Sequence, residues 1–470
     1  MSVAVVGAGI GGLAAAIALS RIGCEVVVLE RDDTRMPDDV EGAFEWDRRG
    51  APQVRHTHGF PALIRVILRD RYPDVLEALL RAGVGEVSIM PSSVPADAPG
   101  YERDADDLKV LSCRRTTLEW VLRRCAIAEA DVRFQVGVAV DGLLADPGTG
   151  SAPLEVRGVR LADGTALAAD VVVASTGRRD AVPAWFAEHG IEVGEEEHPT
   201  RTIYLSRFYR RAEGADAPVG YVGGRRAGLG FVVAGADNGT YSATLAVDAD
   251  DAELRAHLLD DDRFEAVLPL FREMEPVVSR GGTPITGVQA IGGLVNRIRR
   301  FRDGSGAPLA HGFFAIGDAH TCTNPLYGRG SSLAVLQATF VADALTDHEG
   351  DHDAAARAYE EASAARVEPW FDVSLLADGA NPPATERSKA IADAPPRLDL
   401  GNLRRIMASG DPELAVIVAR TMSLLLTPQE VFGDPAMVER IARAASSEPR
   451  HATRTPPPKL TRDHVLAAGR

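Results

Sequence analysis

Val3-Ala4-Val5-Val6-Gly7-Ala8-Gly9-Ile10-Gly11-Gly12 stands near the start of the chain and decides its fold. Val3 to Val6 is a short apolar run, the pattern of a strand buried on both faces of a parallel sheet. It runs into a Gly-x-Gly-x-x-Gly turn and then into a helical stretch through Ser20. Gly7 allows the tight turn, Gly9 lets a diphosphate approach the backbone, and Gly12 lets helix and strand pack closely, with Gly11 between them. The unpaired N–H groups and the dipole at the helix start then face the diphosphate. Glu25 to Glu30 reads as the second strand, and Glu30, 18 residues after Gly12, is placed to accept the hydroxyls of an adenosine ribose. Arg31 beside it is a further candidate for cofactor contact. This unit fits NAD as well as FAD, so the rest of the chain has to choose between them.

A length of 470 residues suggests two or three domains, and 45% apolar with 25% charged residues is ordinary for a globular protein. Lys and Arg number 51 against 67 Asp and Glu, a net charge of −16, which argues against a nucleic-acid groove. Four scattered cysteines (Cys24, Cys113, Cys125, Cys322) form neither a zinc pattern nor a disulfide framework. With no leader ahead of the first strand and every apolar stretch too short to span a membrane, the expectation is a cytoplasmic protein.

The second informative stretch is Phe313-Phe314-Ala315-Ile316-Gly317-Asp318, a strand ending in Gly-Asp. It is followed by Ala319 to Asn324, then Pro325-Leu326-Tyr327-Gly328-Arg329-Gly330 and an apolar helix from Ser331 to Leu345. This stretch resembles the Gly-Asp motif of FAD-dependent aromatic hydroxylases and epoxidases, the para-hydroxybenzoate hydroxylase-like superfamily. The resemblance implies FAD as cofactor, with Asp318 on a ribityl hydroxyl and Gly317, Pro325, Gly328 and Gly330 around the ring. Physically, a helix start at that place stabilises the negative charge of reduced flavin. Val171 to Gly177, a strand ending in Thr176-Gly177, is similar to the family's segment beside the cofactor. Arg115, opening a helix that continues to Ala130, resembles the family arginine that reaches the diphosphate or ribose, although such a residue is also common at a solvated helix start.

Two places depart from the family. The Asp-Gly pair expected after Gly177 is replaced by Arg178-Arg179-Asp180, and Pro183-Ala184-Trp185-Phe186 is similar to a bacterial branch rich in natural-product tailoring enzymes. Electrons therefore come either from NAD(P)H directly or from a separate flavin reductase. Arg55-His56-Thr57-His58-Gly59-Phe60 precedes a helix over 61–69. His56 and His58 are either groups beside the flavin, hence catalytic candidates along with Pro325, or part of a loop that caps the helix. No third ligand stands nearby, so no metal is expected.

The fold class expected is α/β: a Rossmann-type FAD-binding domain (1–70, 105–180 and 300–345) with an inserted antiparallel-sheet substrate domain (71–104 and 181–299). A helical C-terminal region over 346–453 and a flexible tail over 454–470 complete it. Within it we expect strands between 200 and 248, a helix from Asp251 to about Met274, and a strand over 285–291. Further helices are expected at Asp351–Ala365, Leu403–Met407 and Pro412–Leu425. The resemblance implies a monooxygenase that inserts one atom of O₂, by way of a C4a-hydroperoxyflavin, into a small-molecule substrate by hydroxylation or epoxidation. A reductase or dehydrogenase of the same fold, acting for example on isoprenoid double bonds, is the alternative, ahead of a non-catalytic flavoprotein. Halogenation needs a relay lysine and a Trp-x-Trp-x-Ile-Pro motif; the motif is absent, and none of Lys109, Lys389 and Lys459 has a matching context.

Overall fold

The computed structural model describes residues 1–146, 153–178, 181–214, 221–274, 281–378, 406, 409–446 and 460–469. Strand Ser2–Val6 lies between Glu25–Glu30 and Val171–Ala174, parallel to both. Val132–Val136 joins beyond Glu25–Glu30, and Phe313–Ala315 beyond Val171–Ala174, giving five parallel strands. Both faces of the central strands are covered, which is why Val3 to Val6 and Val171–Ala174 are apolar without alternation, whereas the edge strand Val132–Val136 alternates and is partly exposed. On one face pack Ile10–Arg21, Ala62–Arg71, Arg115–Ala128 and Arg329–Asp347. On the other lie the hairpin Val140–Asp146/Leu154–Leu161 and the short helix Val182–Ala187, which buries Trp185 and Phe186.

The boundary expected at residue 71 is not a break in packing. Val75, Leu76 and Leu79 of helix Pro73–Arg81, with Val84 after it, share the core of Ile10–Arg21. The inserted sheet is antiparallel and six-stranded: Tyr221–Arg226, Leu229–Gly235, Thr240–Asp248, Thr202–Arg211, with Gly282–Pro284 and Gln289–Ile291 both pairing with the last of these. The strand expected over 285–291 is interrupted because Thr286 is captured instead. Its carbonyl accepts from Arg207 Nε (2.9 Å) and its hydroxyl from the Phe208 N–H (3.0 Å). The single helix expected from Asp251 to Met274 is two, Ala252–Leu258 and Asp261–Val267, since Asp251 and Asp260 each cap a helix start.

Period-two alternation divides this sheet into two faces. Leu205, Tyr209, Tyr241, Ala243, Leu245 and Val247 pack on the two short helices. Tyr204, Ser206, Phe208, Ser242 and Thr244 are equally buried but turn toward the parallel-sheet domain, where they meet Asn324, His56, Phe44 and Thr57. A buried ion pair locks the two parts: Arg114 Nη2 and Asp237 Oδ2 are 2.6 Å apart, and Asp237 also accepts from Thr117 Oγ1 at 2.7 Å.

The C-terminal region is helical over His352–Arg366, Glu368–Ala377, Pro412–Met422, Pro428–Phe432 and Pro435–Ser446. Of the helix expected over 403–407, only Ile406 lies within the described residues, where it is helical and buried. The tail expected to be flexible from 454 corrects in part. Arg462–Ala467 is a helix, capped by Thr461, whose Val465 and Leu466 enter the core of the inserted sheet; 454–459 lie outside the described residues. Among the described residues no helix is long and apolar enough to cross a membrane.

Candidate active site

The glycine turn is built as its spacing requires. Gly7 has φ +101°, and its N–H donates to the Leu29 carbonyl at 2.8 Å. A Cβ on Gly12 would lie 1.9 Å from the Gly7 carbonyl oxygen, and one on Gly11 would press on Ala334 of helix Arg329–Asp347 at 3.2 Å. Gly9 differs: nothing lies within 4 Å of where its Cβ would be. Helix Ile10–Arg21 begins there with no side-chain cap and no acidic residue in its first turn, leaving its N–H groups to a ligand.

Glu30 ends the second strand buried. It accepts from Ala8 N–H (3.0 Å), Asp32 N–H (2.9 Å) and Arg48 Nη2 (3.2 Å). Arg48 also reaches Glu119 (2.6 Å) and the Ala8 carbonyl (3.1 Å), while its guanidinium covers the Trp46 ring at 4.8 Å. The motifs gave no sign of Arg48, which lies between elements; Arg31 is exposed. The helix Arg115–Ala128 contributes Arg115, Glu119 and Arg123, four residues apart and therefore on one face. The four-residue spacing of these three charges is visible in the sequence itself.

The turn after Val171–Ala174 and the Gly317–Asp318 segment meet beside this helix. A Cβ on Gly7 would lie 2.4 Å from the Ser175 carbonyl oxygen. Gly177 has φ +79°, and its neighbour Arg178 has its Nε 3.9 Å from Asp318 Oδ2. Arg297 ties both segments by donating to the carbonyls of Arg178 (2.8 Å) and Asp318 (3.1 Å). Gly317 N–H donates to Gln337 Oε1 at 2.8 Å, and Gly330 lies beside Asp318. Gly328, at φ +63°, backs onto Gly59, and Pro325 is exposed at the opening of a short 3₁₀ turn.

The histidine loop does not cap the following helix, whose N-cap is Pro61 without a side-chain bond. It docks on the inserted sheet: His56 Nδ1 to Ser206 Oγ is 3.0 Å, Ser206 to Thr244 is 2.6 Å, and Thr57 Oγ1 is 2.7 Å from both Thr244 and Ser242. Burial holds His56 down at about pKa 4. Burial, and then the charge of Arg115, push His58 down to about 3. Both rings are neutral at neutral pH. No cluster of three metal-binding side chains occurs among the described residues. Tyr204 donates to Asn324 Oδ1 (2.5 Å), and Asp378 accepts from Asn324, Asn296 and Tyr327, fixing the loop before Gly328.

Several buried polar atoms along this line have no hydrogen-bond partner: Arg115 Nε, Glu119 Oε2, Arg123 Nε and Nη1, Thr176 Oγ1 and Arg178 Nε. Leaving such groups without a partner is costly, which a bound ligand would relieve. Donors, an unblocked helix start and a ribose-type carboxylate together fit a dinucleotide diphosphate.

Residues 5–75 match the family described as NAD(P)-binding Rossmann-like domain. No curated protein matches the sequence. Among solved structures the chain is similar to PqsL of Pseudomonas aeruginosa, described as a probable FAD-dependent monooxygenase, at 18% identity over 89% of this chain and 99% of that one (TM-score 0.57). It is similar to the flavin-dependent brominase Bmp2 at 15% identity over 94% and 98% (TM-score 0.62). Aklavinone-11 hydroxylase, solved with FAD and aklavinone, matches at 18% identity over 80% and 68% (TM-score 0.55). The chain has the α/β fold that these flavin-dependent proteins share, a Rossmann-like domain with an antiparallel sheet and a helical C-terminal region.

Proposed function

We propose that this chain binds FAD and is a monooxygenase that places one oxygen atom of O₂ on a small organic molecule, by hydroxylation or epoxidation, in a natural-product tailoring step. The observation that carries the reading is the meeting of the Gly7–Gly12 turn with Glu30 through Ala8 and with Ser175 and Ala334, together with unsatisfied donors on Arg115, Thr176 and Arg178. FAD supplies the redox chemistry when bound: reduced, it activates O₂. The chain supplies position and electrostatics. The start of helix Ile10–Arg21 and Arg115 hold the diphosphate, Glu30 the ribose, and Asp318 the ribityl chain. The start of helix Arg329–Asp347 favours negative charge on the ring. The sheet face with Ser206, Ser242 and Thr244 roofs the site and keeps water out. His56 is neutral and makes no hydrogen bond at Nε2 within the described residues, so it can accept a hydrogen bond from a substrate O–H and orient it.

Electrons reach the site from NAD(P)H or from a flavin reductase. Arg178 stands where the family's Asp-Gly pair begins, and the positions after it, 179 and 180, lie outside the described residues. Lys109 pairs with Asp106 at 2.7 Å, on the strand Lys109–Ser112. The test is reaction of the reduced holoenzyme with ¹⁸O₂ and a panel of phenolic and alkene substrates, followed by mass spectrometry. A product heavier by one ¹⁸O is expected; equal turnover without O₂ would make the protein a reductase instead.

A further inference from the structure

The face of helix Arg115–Ala128 that carries Arg115, Glu119 and Arg123 runs away from the Gly317–Asp318 segment toward the end of the second strand. At 1.5 Å per residue, eight residues span about 12 Å. Arg115 feels Asp318 and His58 at one end. Arg123 feels Glu30, Glu119 and Arg48 at the other.

Arg123 is only 7% exposed. Its guanidinium centre stands 4.1 Å over the Phe134 ring, and Phe134 is two residues before Val136, the register partner of Glu30. Among the described residues nothing accepts a hydrogen bond from its Nε or Nη1. An aromatic face holds the cation in place but satisfies none of its N–H groups. Arg48 nearby is also buried but is bonded to Glu30, Glu119 Oε1 and the Ala8 carbonyl, while Glu119 Oε2 faces Arg115 Nη2 at 3.6 Å. An arginine with two buried N–H groups left unsatisfied is destabilising in the chain alone. It becomes reasonable where a ligand brings the acceptor.

We infer that Arg123 is a binding residue for the adenosine half of the cofactor, donating to the acceptor atoms of the adenine or its ribose while Phe134 holds the guanidinium flat. This rests on the flavin reading above and adds that affinity for the adenosine end comes from a donor stored unpaired in the protein. It makes a division of labour testable. Arg115 lies at the flavin and diphosphate end, whereas Arg123 acts only on ligands that contain adenosine.

The experiment measures binding of FAD, ADP and FMN to the full-length apoprotein by calorimetry and flavin fluorescence, for the native chain and for Arg123→Met and Arg123→Gln. Expected is a Kd at least tenfold weaker for FAD and ADP in both variants, with the FMN Kd changed less than twofold. Arg123→Met should also raise the Tm of the apoprotein, because it replaces an unpaired buried cation by a thioether over the same ring. A residue of merely structural importance would lower it. The inference is overturned if FAD and ADP bind either variant within twofold of the native chain, or if FMN binding falls as far as FAD binding. If the native apoprotein binds none of the three ligands, the flavin reading itself fails with it.

Discussion

Glu30 and Arg48 show how differently two partners in one contact can be announced. Glu30 stands at a fixed distance from the glycines, at the end of an apolar strand, so a ribose-accepting carboxylate was legible there. Arg48 sits between elements, where no period points inward, and its role follows only from the three acceptors it meets. Removing it leaves Glu30 buried without its cation and Glu119 with only Arg115 at 3.6 Å. Arg48→Ala should therefore cost about 3–5 kcal/mol in urea unfolding of the apoprotein. Glu30→Ala should weaken FAD binding by about 1.5–3 kcal/mol, read as a Kd shift. A normal Kd in that variant would remove Glu30 from the ribose site. The histidines predict a pH response. His56 and His320 are held at about 4 and His58 at about 3, against 6.5 unfolded, all chiefly by burial. Between pH 6.5 and 4 the unfolded chain binds protons that these rings refuse, so stability falls as pH falls. Glu360, raised to about 7 by burial, works the other way over the same window and offsets one of the three. The apoprotein Tm should thus drop from pH 6.5 to 4.5, and His56→Gln should flatten the slope.

Among the elements, the parallel strands and the glycine helix were readable because every position of Val3 to Val6 is buried and each glycine has a separate steric reason. Those reasons separate experimentally. Gly9 has φ −80° and open space where a Cβ would be, so Gly9→Ala should leave the apoprotein Tm unchanged or slightly raised. The same methyl enters the diphosphate cradle, and FAD affinity should fall by at least tenfold, about 1.4 kcal/mol. Gly12→Ala instead drives a Cβ into the Gly7 carbonyl and should lower the Tm of the apoprotein itself. Equal thermal loss in both variants would contradict an open cradle at Gly9. The inserted sheet was only half readable. Its alternation is clear, but Ser206, Ser242 and Thr244 have the composition of a solvent face, and nothing local tells that His56 and Thr57 cover it. The helix expected over 251–274 divides for a local reason, since two aspartates nine residues apart each begin a new helix.

At the scale of the molecule, contacts between distant segments decide what the sequence kept hidden. Asp237 in the turn after Leu229–Gly235 accepts from the backbone and side chain of Arg114 and from Thr117, so it joins the sheet to the helix that carries Arg115. Breaking this fully buried pair with Asp237→Ala should cost about 3–5 kcal/mol and loosen FAD at a distance, because Arg114 directly precedes that helix. The C-terminal segment makes the opposite case. A proline-rich approach reads as disordered tail, yet Val465 and Leu466 are buried against Leu254, Leu258 and Phe264, and Arg462 pairs with Asp251 and Glu253. Each such apolar side chain contributes roughly 1.5–3 kcal/mol when buried. Ordering the segment takes back part of this. Deleting residues 460–470 should lower the urea midpoint accordingly. The helix packs on the face of the sheet turned away from His56, so the shortened protein should keep the native Kd for FAD measured below its unfolding transition. Loss of FAD affinity without loss of stability would mean that this helix supports the cofactor site rather than the inserted sheet.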